Sequence, residues 1–251
     1  MFHKATLTTA KRRSPALITL ATYNEIENLP NLVTEIQKAL PLADILVIDD
    51  NSPDGTGTWC QEKSVENPRF HTIIRSGKLG LGSAVVAAMN YAIENDYEYL
   101  VNLDADFSHD PEIIPKMLSL LEADQADLVI GSRYVEGGQV SGWSWHRKVI
   151  SRGVNILARW LLSLKPFDCS GSFRAYRVSS LKKLSFGEIY SGGYSFFEEV
   201  LWLLSQQKVV IKEEPIHFRD RTKGKSKINL REAIVALAVL LRLGVKNYVR
   251  I

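Results

Sequence analysis

The chain has 251 residues, of which 45% are hydrophobic and 24% charged, values that suit one sizeable globular domain with its own core. A formal net charge of +3 makes no case for nucleic acid, whose binding needs a concentrated basic patch. The two cysteines, Cys60 and Cys169, match no zinc spacing and read as reduced cytoplasmic thiols.

In chain order, residues 16–21, 45–49, 70–74, 99–103 and 128–130 are short apolar runs rich in Val and Ile, the pattern of buried parallel strands. Helical patterns lie between them at about 26–40, 56–66, 82–95 and 111–122, the last opened by Asp110 as N-cap and Pro111 at the first helical position. Such alternation predicts an α/β layer structure, and right-handed crossovers put the strand-to-helix loops on one edge of the sheet. The second half differs. It reads as a loop and long helix over 143–164, a strand near 173–176, a helix near 196–205, a strand near 209–211, a polar loop over 219–227 and a final helix over 230–246. The basic segment 1–14 lacks the apolar stretch of a secretory signal. No apolar run approaches the roughly 20 residues that span a bilayer.

Three polar clusters fall just past strand ends, on the rim where open α/β sheets bind ligands: Thr22-Tyr23-Asn24-Glu25, Asp49-Asp50-Asn51-Ser52 and Asp104-Ala105-Asp106. Asp104 and Asp106 are hard oxygen donors suited to Mg²⁺ or Mn²⁺ with positions left open for phosphate oxygens; Asp-X-Asp is equally a turn former. Asp49 and Asp50 can accept from a base N–H or a ribose hydroxyl, although a turn with N-cap residues explains part of that cluster. The stretch 77–82 (GKLGLG) resembles a phosphate-cradling loop at a helix N-terminus, with Lys78 facing the ligand, but it is neither a Walker A motif nor a dinucleotide fingerprint. Basic residues follow at Arg133, Arg147, Arg152, Arg219, Arg221, Lys223, Lys225 and Lys227. Arginine grips phosphate bidentately and lysine acts as a mobile point charge, and the 219–227 loop with Gly224 suits a closing flap. The five histidines form no ligand-spaced group.

The stretches ATYNEIENLP from Ala21, VIDDNSPDGT from Val47, GKLGLGSA from Gly77, NLDADFSHDP from Asn102, GSRY from Gly131, SGSFRAYR from Ser170 and FRDRTKGKSKI from Phe218 carry a resemblance. Together they resemble the inverting family-2 glycosyltransferases of the GT-A fold, specifically the polyprenyl-phosphate (dolichyl-phosphate) mannosyltransferases. The resemblance implies a Rossmann-like three-layer α/β/α sandwich with a mostly parallel central sheet. It divides the chain into a basic extension (1–15), a glycosyltransferase domain (16–228, its nucleotide half about 16–132 and acceptor half about 133–228) and a C-terminal amphipathic helix (229–251). It implies nucleotide-sugar binding by Ala21, Tyr23, Glu25 and Asp50 with Asp49 adjacent, and by Lys78, Asp104, Ala105, Asp106, Arg221 and Lys227. Asp104 and Asp106, assisted by Ser108, would hold the metal. The acceptor phosphate would sit near Arg133, Arg147 and Ser151, and Asp106, Arg133 and Arg147 would carry catalysis. The chain departs from the family where Ala21 replaces the usual proline and where Ser108 replaces a common glutamine, which leaves direct metal contact by Ser108 open.

The implied reaction moves a hexose, mannose from GDP-mannose, to a polyprenyl monophosphate. A phosphate monoester has a second pKa of about 6, so its attacking oxygen is ionised near neutrality and needs no strong base; a sugar hydroxyl would, with Asp106, Glu198 and Glu199 as candidates. Other readings stay open: UDP-glucose as donor, a glycan hydroxyl as acceptor, or a non-catalytic nucleotide-sugar-binding subunit of a membrane complex. A lipid acceptor also needs an apolar approach, and the helices over 149–164 and 230–246 mix apolar and basic residues as interfacial helices do. The expected setting is therefore peripheral, on the cytoplasmic face of a membrane, with a separate anchoring partner as one option.

Overall fold

The computed structural model describes residues 14–193, 195–220 and 230–249, with side chains of 230–235 excepted. Strands β1 (Ala16–Thr22), β2 (Asp44–Asp49), β3 (Phe70–Ile74) and β4 (Tyr99–Asp104) alternate with helices α1 (Leu29–Ala39), α2 (Thr56–Glu66) and α3 (Leu81–Glu94). After β4 come a 3₁₀ turn (Pro111–Ile113), α4 (Ile114–Glu122) and β5 (Leu128–Ser132). The second half holds β6 (Gln139–Ser141), α5 (Trp145–Leu162), β7 (Arg174–Arg177), α6 (Val178–Leu181), a second 3₁₀ turn (Phe186–Glu188), α7 (Phe196–Gln206), β8 (Ile211–Pro215), β9 (His217–Arg219) and α8 (Leu230–Val249).

Seven strands form one sheet in the order β3-β2-β1-β4-β7-β5-β8, parallel except for β7, which runs against both β4 and β5. Period-two alternation sorts their side chains. Leu17, Leu46, Ile48 and Leu100 enter a core shared with α3, α5, α7 and α8, whereas Ile18, Leu20, Ile45, Val47, Val101 and Leu103 enter a second core with α1 and α4. Both faces are thus covered, which is why these strands read as largely apolar runs. This is the expected three-layer, mostly parallel α/β fold.

The expected elements recur with shifted ends. The first helix starts at Leu29 rather than 26 and carries Pro30 in its first turn, where the missing N–H costs nothing. The helix expected over 111–122 begins as the 3₁₀ turn, and Asp110 caps it by accepting from Glu112 N at 3.1 Å. The strand expected near 209–211 instead occupies Ile211–Pro215, because pairing with Leu128–Ser132 sets its span. A short parallel ribbon of β6 and β9 was not foreseen; its three-residue strands are too short to show a period.

Two features place the site. The sheet order reverses between β1 and β4, with Thr22 level with Asp49 and Ala21 level with Asp104, so all three polar clusters meet at the switch-point crevice. Because β7 is antiparallel, the segment that precedes it, 166–173, also reaches that rim. The strand's far end leaves at the opposite edge, where Val178 N donates to Glu98 O. The rule that every strand feeds a helix on one edge therefore fails at β7.

Candidate active site

Each of the three rim turns contains a non-glycine residue at positive φ: Asn24 (61°), Asn51 (57°) and Phe107 (61°). Asparagine tolerates that region, but for a bulky residue it is strained and persists only where surroundings enforce it. Phe107 lies inside the Asp104–Ser108 turn.

At the first two rim turns, Asp49 is fully buried and structural in its contacts. It accepts from Thr22 Oγ1 at 2.8 Å, from Ser52 N at 2.8 Å and from Ser52 Oγ at 2.5 Å. A Cβ on Gly57 would lie 3.1 Å from its carboxylate, so a glycine there lets α2 approach. Asp50 is also buried; it is paired with Arg75 and accepts from Gly80 N at 3.0 Å. Arg75, which sequence patterns did not single out, ties β3 to the glycine loop by donating to Gly80 O at 2.9 Å and Ser83 Oγ at 2.6 Å. Lys78 sits 4.4 Å over the Tyr23 ring. The Glu25 carboxylate accepts from Asn28 Nδ2 at 3.1 Å while its own N–H donates to Thr56 Oγ1. Asp54 closes the turn, where burial alone would raise its carboxyl but hydrogen bonds from Thr56 and Ile26 outweigh that and lower it.

In the next turn, Ala105 is buried and Asp106 accepts from Ser108 N at 3.0 Å. His109 Nδ1 accepts from Asp104 N at 3.3 Å. Burial lowers the His109 pKa against the pull of Asp104 and Asp106, which keeps the ring neutral and in a capping role. Ser108 is 1% exposed, and its Oγ has no partner among the described residues. Two carboxylates and an unpartnered hydroxyl on one turn are hard oxygen donors of the kind that fits Mg²⁺ or Mn²⁺. No group of three His, Cys, Asp or Glu side chains converges among the described residues, so an ion at this turn would complete its shell from substrate and solvent.

Past β5, Arg133 donates to Asp168 through Nε and Nη2, both at 2.7 Å, and to Ser170 Oγ at 2.9 Å. Burial alone would lower the Arg133 pKa, but the Asp168 carboxylate more than offsets it and holds the guanidinium charged. In the same way burial would raise Asp168, yet Arg133, with help from Arg174, holds it below the usual range. Asp168 is the main residue that motif reading missed; it lies 35 positions from its partner, and only its place beside SGSF hinted at it. Arg147 spends Nη1 on Asp220 at 3.1 Å and lies 4.1 Å over the Trp143 ring, which Arg133 also faces at 5.5 Å. Ser151 joins through Tyr134, whose hydroxyl donates to its Oγ at 2.7 Å. The three acceptor candidates Arg133, Arg147 and Ser151 thus meet around Tyr134 and Trp143.

Aromatic rings bridge the two sides: His109 lies 5.4 Å from Phe218, and Phe218 lies 5.2 Å from Trp143. Arg219 N donates to Ser108 O at 3.1 Å, so consecutive residues of one ribbon touch the acidic turn and, through Asp220, Arg147. Arg221 and Lys227 lie outside the described residues.

Of the two glutamates weighed as bases, Glu199 is engaged within the fold and, among the described residues, Glu198 is not. Glu199 is buried and accepts from the backbone of Tyr190 and Ser191. Glu198 is buried with Oε2 unpartnered among the described residues, and burial pushes its carboxyl up from 4.5 to about 7. Between those values the folded chain keeps a proton that the unfolded chain has lost, so this group lowers stability as pH rises through that window. Glu198→Gln is expected to raise the melting temperature over wild type more at about pH 8 than at about pH 5. An equal difference at both would refute the assignment.

Comparison with known proteins identifies the family. Residues 18–185 match the family described as Glycosyl transferase family 2, and the chain belongs to that family. It is 40% identical over 234 residues to polyprenol monophosphomannose synthase of Mycolicibacterium smegmatis, covering 92% of this chain and 88% of that protein. It is also 40% identical over 222 residues to undecaprenyl-phosphate mannosyltransferase of Micrococcus luteus, covering 87% and 90%. Among solved structures, glucosyl-3-phosphoglycerate synthase of Mycobacterium tuberculosis, in complex with Mn²⁺, UDP and glucosyl-3-phosphoglycerate, superposes with a TM-score of 0.65 at 16% identity over 98% of this chain and 86% of that one. The mannosyltransferase PcManGT of Pyrobaculum calidifontis, in complex with GDP-Man and Mn²⁺, gives 0.58 at 14% identity, covering 96% and 66%. These structural likenesses establish the shared fold.

Proposed function

We propose that this family-2 glycosyltransferase moves a mannosyl residue from a nucleotide sugar, GDP-mannose, to a polyprenyl monophosphate with inversion. A phosphate oxygen of the acceptor attacks the anomeric carbon, the bond from that carbon to the diphosphate oxygen breaks, and GDP leaves. The observation that carries this reading is the arginine cluster around Trp143, set across the Phe218 bridge from the acidic turn. The names of the two relatives at 40% identity point the same way.

In this reading Tyr23, Glu25, Asp50 and Lys78 line the donor side, with Ala21 beside them, while Asp49 braces the turn that carries Asp50. Asp104, Asp106 and Ser108 would hold a divalent ion, Mg²⁺ or Mn²⁺, which when bound supplies positive charge to the departing diphosphate. Arg147 and Arg133 orient the acceptor phosphate with Ser151. Arg133 is preset for this by Asp168, so little ordering remains to be done on binding. A phosphate nucleophile is ionised near neutrality, so the reaction needs no strong base, and Glu199 is engaged by the backbone of Tyr190 and Ser191.

A membrane-bound acceptor also explains two exposed apolar stripes. On α5, Trp145 (68% exposed), Val149, Ile156 and Trp160 (70%) recur at helical spacing, and on α8 so do Leu237, Leu241 and Val245. Lys148, Arg152, Arg242 and Lys246 are exposed beside them. The helices pack together, with Tyr248 Oη donating to Trp160 O at 2.9 Å, so the stripes form one surface suited to a peripheral position in the headgroup region. No helix among the described residues is long and apolar enough to cross a membrane.

The deciding experiment incubates the protein with GDP-mannose or UDP-glucose and a short polyprenyl phosphate, with and without Mn²⁺. Lipid-linked mannose is expected from GDP-mannose alone; no lipid product from either donor would sink the acceptor assignment. Arg147→Ala is expected to raise the acceptor KM about tenfold, the worth of one charge-assisted phosphate contact, and to leave the donor KM unchanged. A change confined to the donor KM would move Arg147 to the other side of the site.

A further inference from the structure

The segment 189–193, between the second 3₁₀ turn and α7, has no regular structure of its own. It is fixed from below by Glu199 in the first turn of α7. That carboxylate, 2% exposed, accepts from Tyr190 N at 3.1 Å, from Ser191 N at 2.8 Å and from Ser191 Oγ. Ionised carboxylates are among the stronger acceptors for backbone amides. One buried side chain thus takes three hydrogen bonds from this segment.

The segment in turn holds the donor side. Gly192 O accepts from Gly82 N at 3.0 Å. The approach is tight, since a Cβ on Gly82 would lie 3.0 Å from Gly192 O and 3.0 Å from the Phe196 ring. Gly82 is the second residue of α3, and its amide is one of the first-turn donors without an intrahelical partner. The sequence pattern offered this helix start as a phosphate cradle, yet the Gly82 amide is already engaged by Gly192. Two residues earlier, Gly80 stands at φ +94° and donates to Asp50, and its carbonyl accepts from Arg75. Lys78, on the same loop, rests on Tyr23. An unbroken series of hydrogen bonds and short chain steps therefore joins Glu199 to the Asp50–Arg75 pair.

We propose that Glu199 is a positioning residue for the nucleotide site: through the 190–192 segment it sets the start of α3, and with it the glycine loop that holds Asp50 and Lys78 in place. This rests on the donor-side assignment above and adds to it a residue that touches no substrate. A general base in the same position would act on kcat, whereas a positioning role acts on nucleotide affinity.

The test measures binding of GDP and UDP in the presence of Mn²⁺ by calorimetry, which needs no acceptor, together with separate KM values for donor and lipid phosphate. Glu199→Ala is expected to weaken nucleoside diphosphate binding and raise the donor KM about tenfold, from amides left unpaired and a loop set free. The acceptor KM should stay unchanged. Glu199→Gln, which keeps an acceptor oxygen, should restore much of the affinity. Should Glu199→Ala not fold, Ser191→Ala and Gly82→Ala disturb the same path from either side, and both should raise the donor KM selectively. Unchanged nucleotide affinity in folded variants, or equal rises in both KM values, would overturn the proposal. So would a loss confined to kcat. A wild-type chain that binds nucleotide but makes no lipid product would count against the acceptor and leave Glu199 tested. A wild-type chain that binds neither nucleotide would overturn the donor assignment and this proposal together.

Discussion

Asp106→Asn is expected to lower turnover at least about a hundredfold, because several kcal/mol of charge stabilisation on the leaving diphosphate depend on the ion it would hold. The amide is isosteric and can still accept from Ser108 N, the contact that Asp106 makes within its turn, so folding should be little affected. Thermal shift supplies a second readout independent of turnover. Wild type should gain stability when Mn²⁺ and GDP are added together, by mass action on the folded state, and the variant should gain little. Full activity with an unaltered Mn²⁺ response would remove the metal from this turn. The companion Ser108→Ala should be milder, since it deletes a hydroxyl that has no partner among the described residues.

Asp168→Ala should be the most destabilising single change at the site. Its carboxylate is fully buried, and it is matched to an Arg133 side chain only 9% exposed. Removing one partner of such a pair leaves an uncompensated buried charge, at a cost of roughly 3–5 kcal/mol. For a chain of this size that is a fall of about 10 °C in melting temperature. The damage also reaches the backbone around Arg133 and Gly171, because Asp168 accepts from Gly171 N at 3.0 Å and from Arg133 N at 3.0 Å. The double variant Asp168→Ala, Arg133→Met should recover much of the stability but not the activity, since the charge is gone along with its counter-ion. Non-recovery of stability would show that Asp168 acts through the backbone rather than through the ion pair.

The pH dependence has a definite sign. Asp168 is held below its ordinary value near 3.8, so its contribution is complete above that value and is lost as pH falls through the lowered native pKa. Asp168→Ala should therefore narrow its deficit against wild type in strongly acid solution. Glu198 acts in the opposite sense and over a higher range, between 4.5 and about 7. The two carboxylates stand near the same arginines, and burial with a partner depresses one while burial without one raises the other.

The sequence by itself determined the fold class and the sheet edge that carries the acidic turns. Runs such as 45–48 and 99–103 are largely apolar because both faces of their strands are covered, and the acids that follow them must then fall on the sheet rim. Asp104 and Asp106 could be placed from that logic alone, since a strand end and a turn are local features. Tertiary structure alone decided which charges meet. Nothing local marks β7 as antiparallel, yet its direction carries 166–173 to the rim and delivers Asp168 to Arg133. The pairing of β6 with β9 and the hold of Gly192 on Gly82 are likewise contacts between segments far apart in the chain. Strand-length patterns report which face a residue takes. They carry no record of which distant segment will lie beside it, and at this site the distant partners fix the arginines and the glycine loop.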